Sequence, residues 1–148
     1  MAYDNEIQKL LYDTLTADTS LKTALGGGTT DKRIYLEWNA DDLPKLSGTK
    51  PGFITIGTMG RSEALGEKQE VVMISTLRLY TRPDDRTTRS SVLARISAVL
   101  YAPTGEIHRG FTTDSYLVFT KDGGVDEPVI ENGVLVTDVN IKISYLPR

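Results

Sequence analysis

The chain has 148 residues, 39% of them apolar and 25% charged, with no cysteine, one histidine and a formal net charge of −3. That length fits a single domain over residues 1–148, able to bury a core without disulfide or metal staples. Zero cysteine excludes disulfide scaffolds, thiolate zinc sites, iron–sulfur clusters and Cys-nucleophile chemistry, the lone His108 excludes multi-histidine metal sites, and the acidic balance argues against duplex binding driven by overall charge.

The start, Met1-Ala2-Tyr3-Asp4-Asn5-Glu6, is acidic and lacks the basic flank of a signal peptide. No apolar run approaches the ~20 residues that cross a bilayer, so a cytosolic, unprocessed protein is expected. Ile7, Leu10, Leu11 and Leu15 recur at helical spacing, with Asp4 placed to cap the first turn and Tyr3 to staple it. Ser20 opens a short second helical turn in which Leu21, Ala24 and Leu25 share a face, and Gly26-Gly27-Gly28 stops it. Ile34-Tyr35-Leu36 predicts a short strand. Residues 37–51 carry the breakers Asn39, Asp41, Asp42, Pro44, Gly48 and Pro51 and predict a loop, after which Phe53-Ile54-Thr55-Ile56 resumes as a strand. Residues 57–70, with three glycines and both charge signs, predict a loop that is mobile or ordered by a partner.

Val71 to Arg82 is the longest β signal of the middle of the chain. Val71, Met73, Leu77 and Leu79 fall on one face, and Val72, Ile74, Thr76, Arg78 and Tyr80 on the other. Pro83-Asp84-Asp85 then opens a helix whose apolar stripe is Val92, Leu93, Ile96, Val99 and Leu100, with Pro103 and Gly105 ending it. Leu117 and Phe119 alternate with Tyr116, Val118 and Thr120 in a further strand. A loop over 121–133, containing Gly123-Gly124 and Asn132-Gly133, leads to a last strand in which Val139, Ile141, Ile143 and Tyr145 face in and Asp138, Asn140, Lys142 and Ser144 face out. A strand with one wet face belongs to a sheet covered on one side. The fold expected is α+β: a mostly antiparallel sheet of about five strands with two main helices packed on one face.

Chemistry-bearing motifs are scarce: there is no G-x-S-x-G, no P-loop and no G-x-G-x-x-G after a strand. Asp84-Asp85 reads as a helix cap, and Asp41-Asp42 as a solvated loop tip or an acidic contact. Arginines concentrate at Arg78, Arg82, Arg86, Arg89 and Arg95. Asp85 and Arg89 stand at i, i+4 and could pair locally; alternatively these arginines reach carboxylates of a neighbouring subunit. His108 has no partner of ligand type nearby in sequence and reads as a loop or strand-edge residue. Trp38 either packs its loop onto the domain or anchors an interface.

The order of segments resembles that of the tail terminator (tail completion) proteins of long-tailed bacteriophages. The resemblance is carried by a helix ending near Leu21-Lys22-Thr23-Ala24-Leu25-Gly26, the Ile34-Tyr35-Leu36 strand and the step Lys50-Pro51-Gly52-Phe53-Ile54-Thr55-Ile56. It continues through the strand from Leu77 to Arg82, the helix from Ser91 to Leu100 and the closing strand from Asp138 to Tyr145. It implies a non-enzymatic virion protein of the tail–head junction, assembled in the host cytoplasm and needing no cofactor. Such a protein forms a ring, as a hexamer, that caps the tail tube, stops its polymerisation and meets the head connector or stopper. Genomic DNA would pass through the lumen without sequence-specific binding. On that reading the subunit interface draws on Arg78, Arg82, Arg86, Arg89 and Trp38, and the lumen wall on Asp41, Asp42, Glu63 and Glu67, because a basic wall would grip phosphates. A neck or head-closure protein, and a monomeric or dimeric α+β adaptor module, are the competing readings.

Overall fold

The computed structural model describes residues 2–36, 44–57, 60–65, 70–101, 109–112 and 116–147. Among these residues three helices, α1 (Ala2–Thr16), α2 (Thr19–Ala24) and α3 (Arg86–Leu100), accompany eight strands. The strands are β1 (Ile34–Leu36), β2 (Gly52–Ile56), β3 (Gly60–Leu65), β4 (Glu70–Thr81), β5 (Arg109–Thr112), β6 (Tyr116–Val125), β7 (Val129–Glu131) and β8 (Val134–Pro147). The long strands β4 and β8 pair antiparallel from Val71↔Tyr145 to Thr81↔Leu135 and form the spine of the sheet. Its order is β1-β2-β4-β8-β6-β5, with β3 added to β4 and β7 to β8. Each spine strand is longer than its outer partners, so β2 and β3 share the free edge of β4 and β6 and β7 share that of β8. Among the described residues only the β1–β2 pair is parallel.

The helices cover one face. Ile7, Leu11 and Leu15 of α1 and Val92, Ile96 and Leu100 of α3 are buried against Ile54, Ile56, Leu77, Leu79, Val139, Ile141 and Ile143 of the sheet. Each such aliphatic side chain contributes about 1.5–3 kcal/mol on leaving water. The alternation predicted for β4 thus holds from Ile74 to Tyr80 and that of the last strand from Asp138 to Ser144, as does the stripe of α3. The α+β class and its mostly antiparallel sheet are also as expected.

Local details differ from expectation where a cap or a bulge decides them. α1 starts at Ala2, which places Asp4 inside the first turn and not at the cap position expected for it. The N-cap of α2 is Asp18, not Ser20: its carboxylate accepts from the Leu21 amide at 2.9 Å and from the Arg95 guanidinium of α3 at 2.7 Å through both oxygens. The glycine stop of α2 is a Schellman turn, with the Gly27 amide donating to the Lys22 carbonyl and Gly26, at φ +81°, donating to that of Thr23.

Within 57–70, expected to be a loop, residues 60–65 form β3 against β4. A bulge between Arg61 and Glu63 breaks the period-two alternation that sequence reading relies on. Likewise the expected loop over 121–133 is largely strand. β6 runs on to Val125 through a register shift after Asp122, and β7 turns back onto β8 through Asn132 (φ +51°) and Gly133 (φ +77°). Asn-Gly is the pair that a two-residue hairpin with positive φ at both centres requires. With β5 these segments raise the strand count from about five to eight.

Candidate functional site

The second face of the sheet is not uniformly wet. Phe53 of β2 stacks on Tyr80 of β4 with ring centroids 4.4 Å apart and planes 11° from parallel, and Phe53 and Val136 are both buried there. The segment 44–51 is fastened beside this cluster by Arg33, which is 2% exposed. Its Nε donates to the Gly52 carbonyl at 3.0 Å and its Nη2 to that of Lys50 at 3.4 Å, while the guanidinium lies 5.6 Å from the Phe53 ring centroid. A buried cation satisfied by carbonyls and an aromatic face is a tether for chain segments. Sequence reading missed it, because its acceptors lie up to 19 residues away along the chain.

Next to this cluster opens a cavity of about 610 Å³ with Phe53, Tyr80 and Val136 for a floor and Arg78, Arg82 and Glu131 on its walls. Arg78 forks onto Asp138, its cross-strand partner, with Nε 2.9 Å and Nη2 3.4 Å from the two carboxylate oxygens, an arrangement that holds the guanidinium still more firmly protonated. Arg82 Nη2 stands 4.0 Å from Asp85, and its Nε is buried with no hydrogen-bond partner among the described residues.

The other two predicted arginines, at the start of α3, line a smaller recess with Pro128 and Leu135. Asp85 caps α3 as expected, accepting from the Thr88 amide at 3.0 Å and from its hydroxyl at 2.7 Å; those bonds, hydroxyl first, hold its carboxyl below the ordinary range. The local Asp85–Arg89 side-chain pairing is not formed: Arg89 Nε donates instead to Thr137 Oγ1 at 3.0 Å, because Asp85 is already engaged by the helix start. Arg86 is exposed. The four arginines therefore gather at one corner of the molecule, the β4–α3 turn, but split between its two faces, with Arg78 and Arg89 engaged inside the subunit.

Glu63 sits in β3 opposite Val72. Trp38, Asp41, Asp42, Glu67, His108, Pro103 and Gly105 lie outside the described residues. Among the described residues, no helix is long and apolar enough to cross a membrane.

The β7–β8 hairpin beside the corner leaves Val129 and Ile130 57% and 62% exposed. Sequence reading took this stretch for a loop and so missed that it presents two apolar side chains at a fixed position.

The chain matches no family model and no curated protein. Among solved structures it is similar to a chain of the "Virion of native gene transfer agent (GTA) particle", at 13% identity and a TM-score of 0.64, covering 97% of this chain and 96% of that one. A second solved chain is similar at 9% identity with a TM-score of 0.59, covering 95% of this chain and 91% of that one. These likenesses establish a shared α+β fold from end to end.

Proposed function

We propose that this chain is a non-enzymatic structural protein of a phage-type virion. It forms a ring at the tail–head junction that caps the tail tube, stops its growth and offers its other surface to the head connector or stopper. The observation that carries the reading is the end-to-end similarity of fold to a virion chain, covering 97% of this chain and 96% of that one. A subunit of this kind works through contacts between copies, and a closed ring repeats one heterologous interface around its axis. The β4–α3 corner supplies suitable groups. Arg82 and Arg86 are the arginines assigned to a neighbour's carboxylates, while Arg78 and Arg89 hold the corner in shape. Trp38 joins them as an anchor, and Asp41, Asp42, Glu63 and Glu67 are assigned to an acidic lumen wall past which genomic DNA moves without being held.

Two measurements test the reading. Solution mass at rising concentration is expected to show a discrete oligomer. Addition of the chain to polymerising tail tube protein is expected to shorten the tubes and place density on their ends in electron micrographs. A chain that stays monomeric and leaves tube length unchanged refutes it.

A further inference from the structure

On the open face of the sheet, Lys142 of β8 lies directly opposite Lys121 of β6 on one side and opposite Ile74 of β4 on the other. All three are exposed, Ile74 by 42%. Like charges directly across a ladder repel, with Cβ atoms only about 5 Å apart. Among the described residues neither lysine has a carboxylate within ion-pair distance. The opposite composition occurs further along β8. Residues 122–133 hold four carboxylates and no lysine or arginine, and the hairpin there exposes Val129 and Ile130 between Glu127 and Glu131. Ile130 is opposite Leu135, seven positions from Lys142 along the strand, which is about 23 Å at ~3.3 Å per residue. That distance exceeds the screening length of roughly 8 Å at physiological salt, so Glu127 and Glu131 of the hairpin do not reach the lysines within one chain, while Asp126, nearer to them, is engaged by Asn140, whose Nδ2 donates to its carboxylate at 3.1 Å.

We propose that the acidic, apolar-tipped β7–β8 hairpin of one copy docks on the Ile74/Lys121/Lys142 patch of the next. The contact is head-to-tail: it buries Val129, which shares a face of the hairpin with Glu131, against Ile74 and neutralises the lysine pair with Glu127 and Glu131. It rests on the reading of this chain as a self-associating subunit and names the two surfaces involved. Two unlike patches at separate places on one strand give the heterologous contact that a ring or filament needs.

The test is charge reversal followed by solution mass and melting temperature. Lys121→Glu with Lys142→Glu, and separately Glu127→Lys with Glu131→Lys, are each expected to weaken association at least about tenfold. All four reversals in one chain are expected to restore it. Val129→Asp, which leaves every charge of the Arg78–Arg82 cavity in place, should lose association to a similar degree at an unchanged melting temperature. If the unaltered chain assembles but the reversals leave its mass as it was, or the fourfold chain stays as weak as either half, these surfaces are wrong and self-association stands. If the unaltered chain is monomeric at every concentration, both readings fall.

Discussion

Substituting alanine at three glycines separates two costs that the fold imposes at the end of α2. Gly26 has φ +81°, and a Cβ built there would lie 2.2 Å from the Thr49 carbonyl oxygen and 2.7 Å from the Lys50 Cα. Both neighbours are backbone, so neither yields by a rotamer change. The left-handed conformation costs an L-residue roughly 1–2 kcal/mol, and forcing extra volume into a packed contact adds roughly 1–3 kcal/mol. Gly26→Ala should therefore lose roughly 2–5 kcal/mol, a fall in Tm of roughly 5–15 °C for a chain of this size. Gly133→Ala meets the conformational cost alone, since its φ is +77° with no atom within 4 Å of the added carbon, and should lose about 1 kcal/mol. Gly28→Ala has open space and no left-handed φ, and should be neutral or stabilising by about 0.4–1 kcal/mol through the unfolded chain. Urea unfolding at a concentration where the chain is monomeric gives all three values on one scale. A Gly26→Ala loss no larger than that of Gly133→Ala would refute the claim that the 44–51 segment is pressed against the helix stop.

Three further perturbations probe the charged contacts. The Asp18 carboxyl is held below its ordinary value of 3.8 by the Arg95 fork first and the Leu21 amide next, against desolvation. Its contribution is therefore whole above 3.8 and is lost as pH falls below that through the lowered value. Asp18→Asn keeps a capping oxygen and removes the charge, so the stability gap to the unaltered chain should be present at neutral pH and close on acidification; a gap that persists at low pH contradicts the ion-pair account. Arg33→Met should cost about 1–3 kcal/mol in urea unfolding, because the Gly52 and Lys50 carbonyls lose their donor, and a neutral result would remove its role as a tether. Arg89→Glu should lower Tm through the lost Thr137 bond, whereas Arg86→Glu should stay within about 0.5 kcal/mol while weakening assembly; identical effects on Tm would count against assigning Arg86, and not Arg89, to a neighbour.

What could be read from the residues was whatever repeats with a clean period. Ile7, Leu11 and Leu15, the stripe of Val92, Ile96 and Leu100, and the alternation of β4 and β8 each point one face at a common core, and each is buried as the period requires. β3 was hidden because its bulge at Arg61/Glu63 resets the alternation in the middle of a six-residue strand. The β7–β8 hairpin was hidden for another reason: all three residues of β7 are exposed, so no apolar face marks it, although Asn132-Gly133 carried the turn signal. The arginine concentration was visible, yet which arginines are engaged at home depends on register. Arg78 meets Asp138 only because β4 and β8 pair with Val71 opposite Tyr145, and Arg89 reaches Thr137 across 48 residues.

The division of labour between the two faces of the sheet narrows where association can occur. The helix-facing side is closed by aliphatic side chains from every helix, and the buried Thr120 among them donates its hydroxyl to the Leu100 carbonyl. Opening that side to a partner would expose residues such as Leu77, Leu79 and Ile141, each worth about 1.5–3 kcal/mol in place. The open face and the hairpin, by contrast, carry exposed Ile74, Val129 and Ile130 and the Lys121–Lys142 repulsion, all of which improve when covered. A copy that docks there gains apolar burial and charge neutralisation without disturbing the subunit's own core. Substitutions on the two faces should therefore separate cleanly: Leu77→Ala or Ile141→Val lowers Tm at any concentration, while open-face reversals act only on the concentration at which copies assemble.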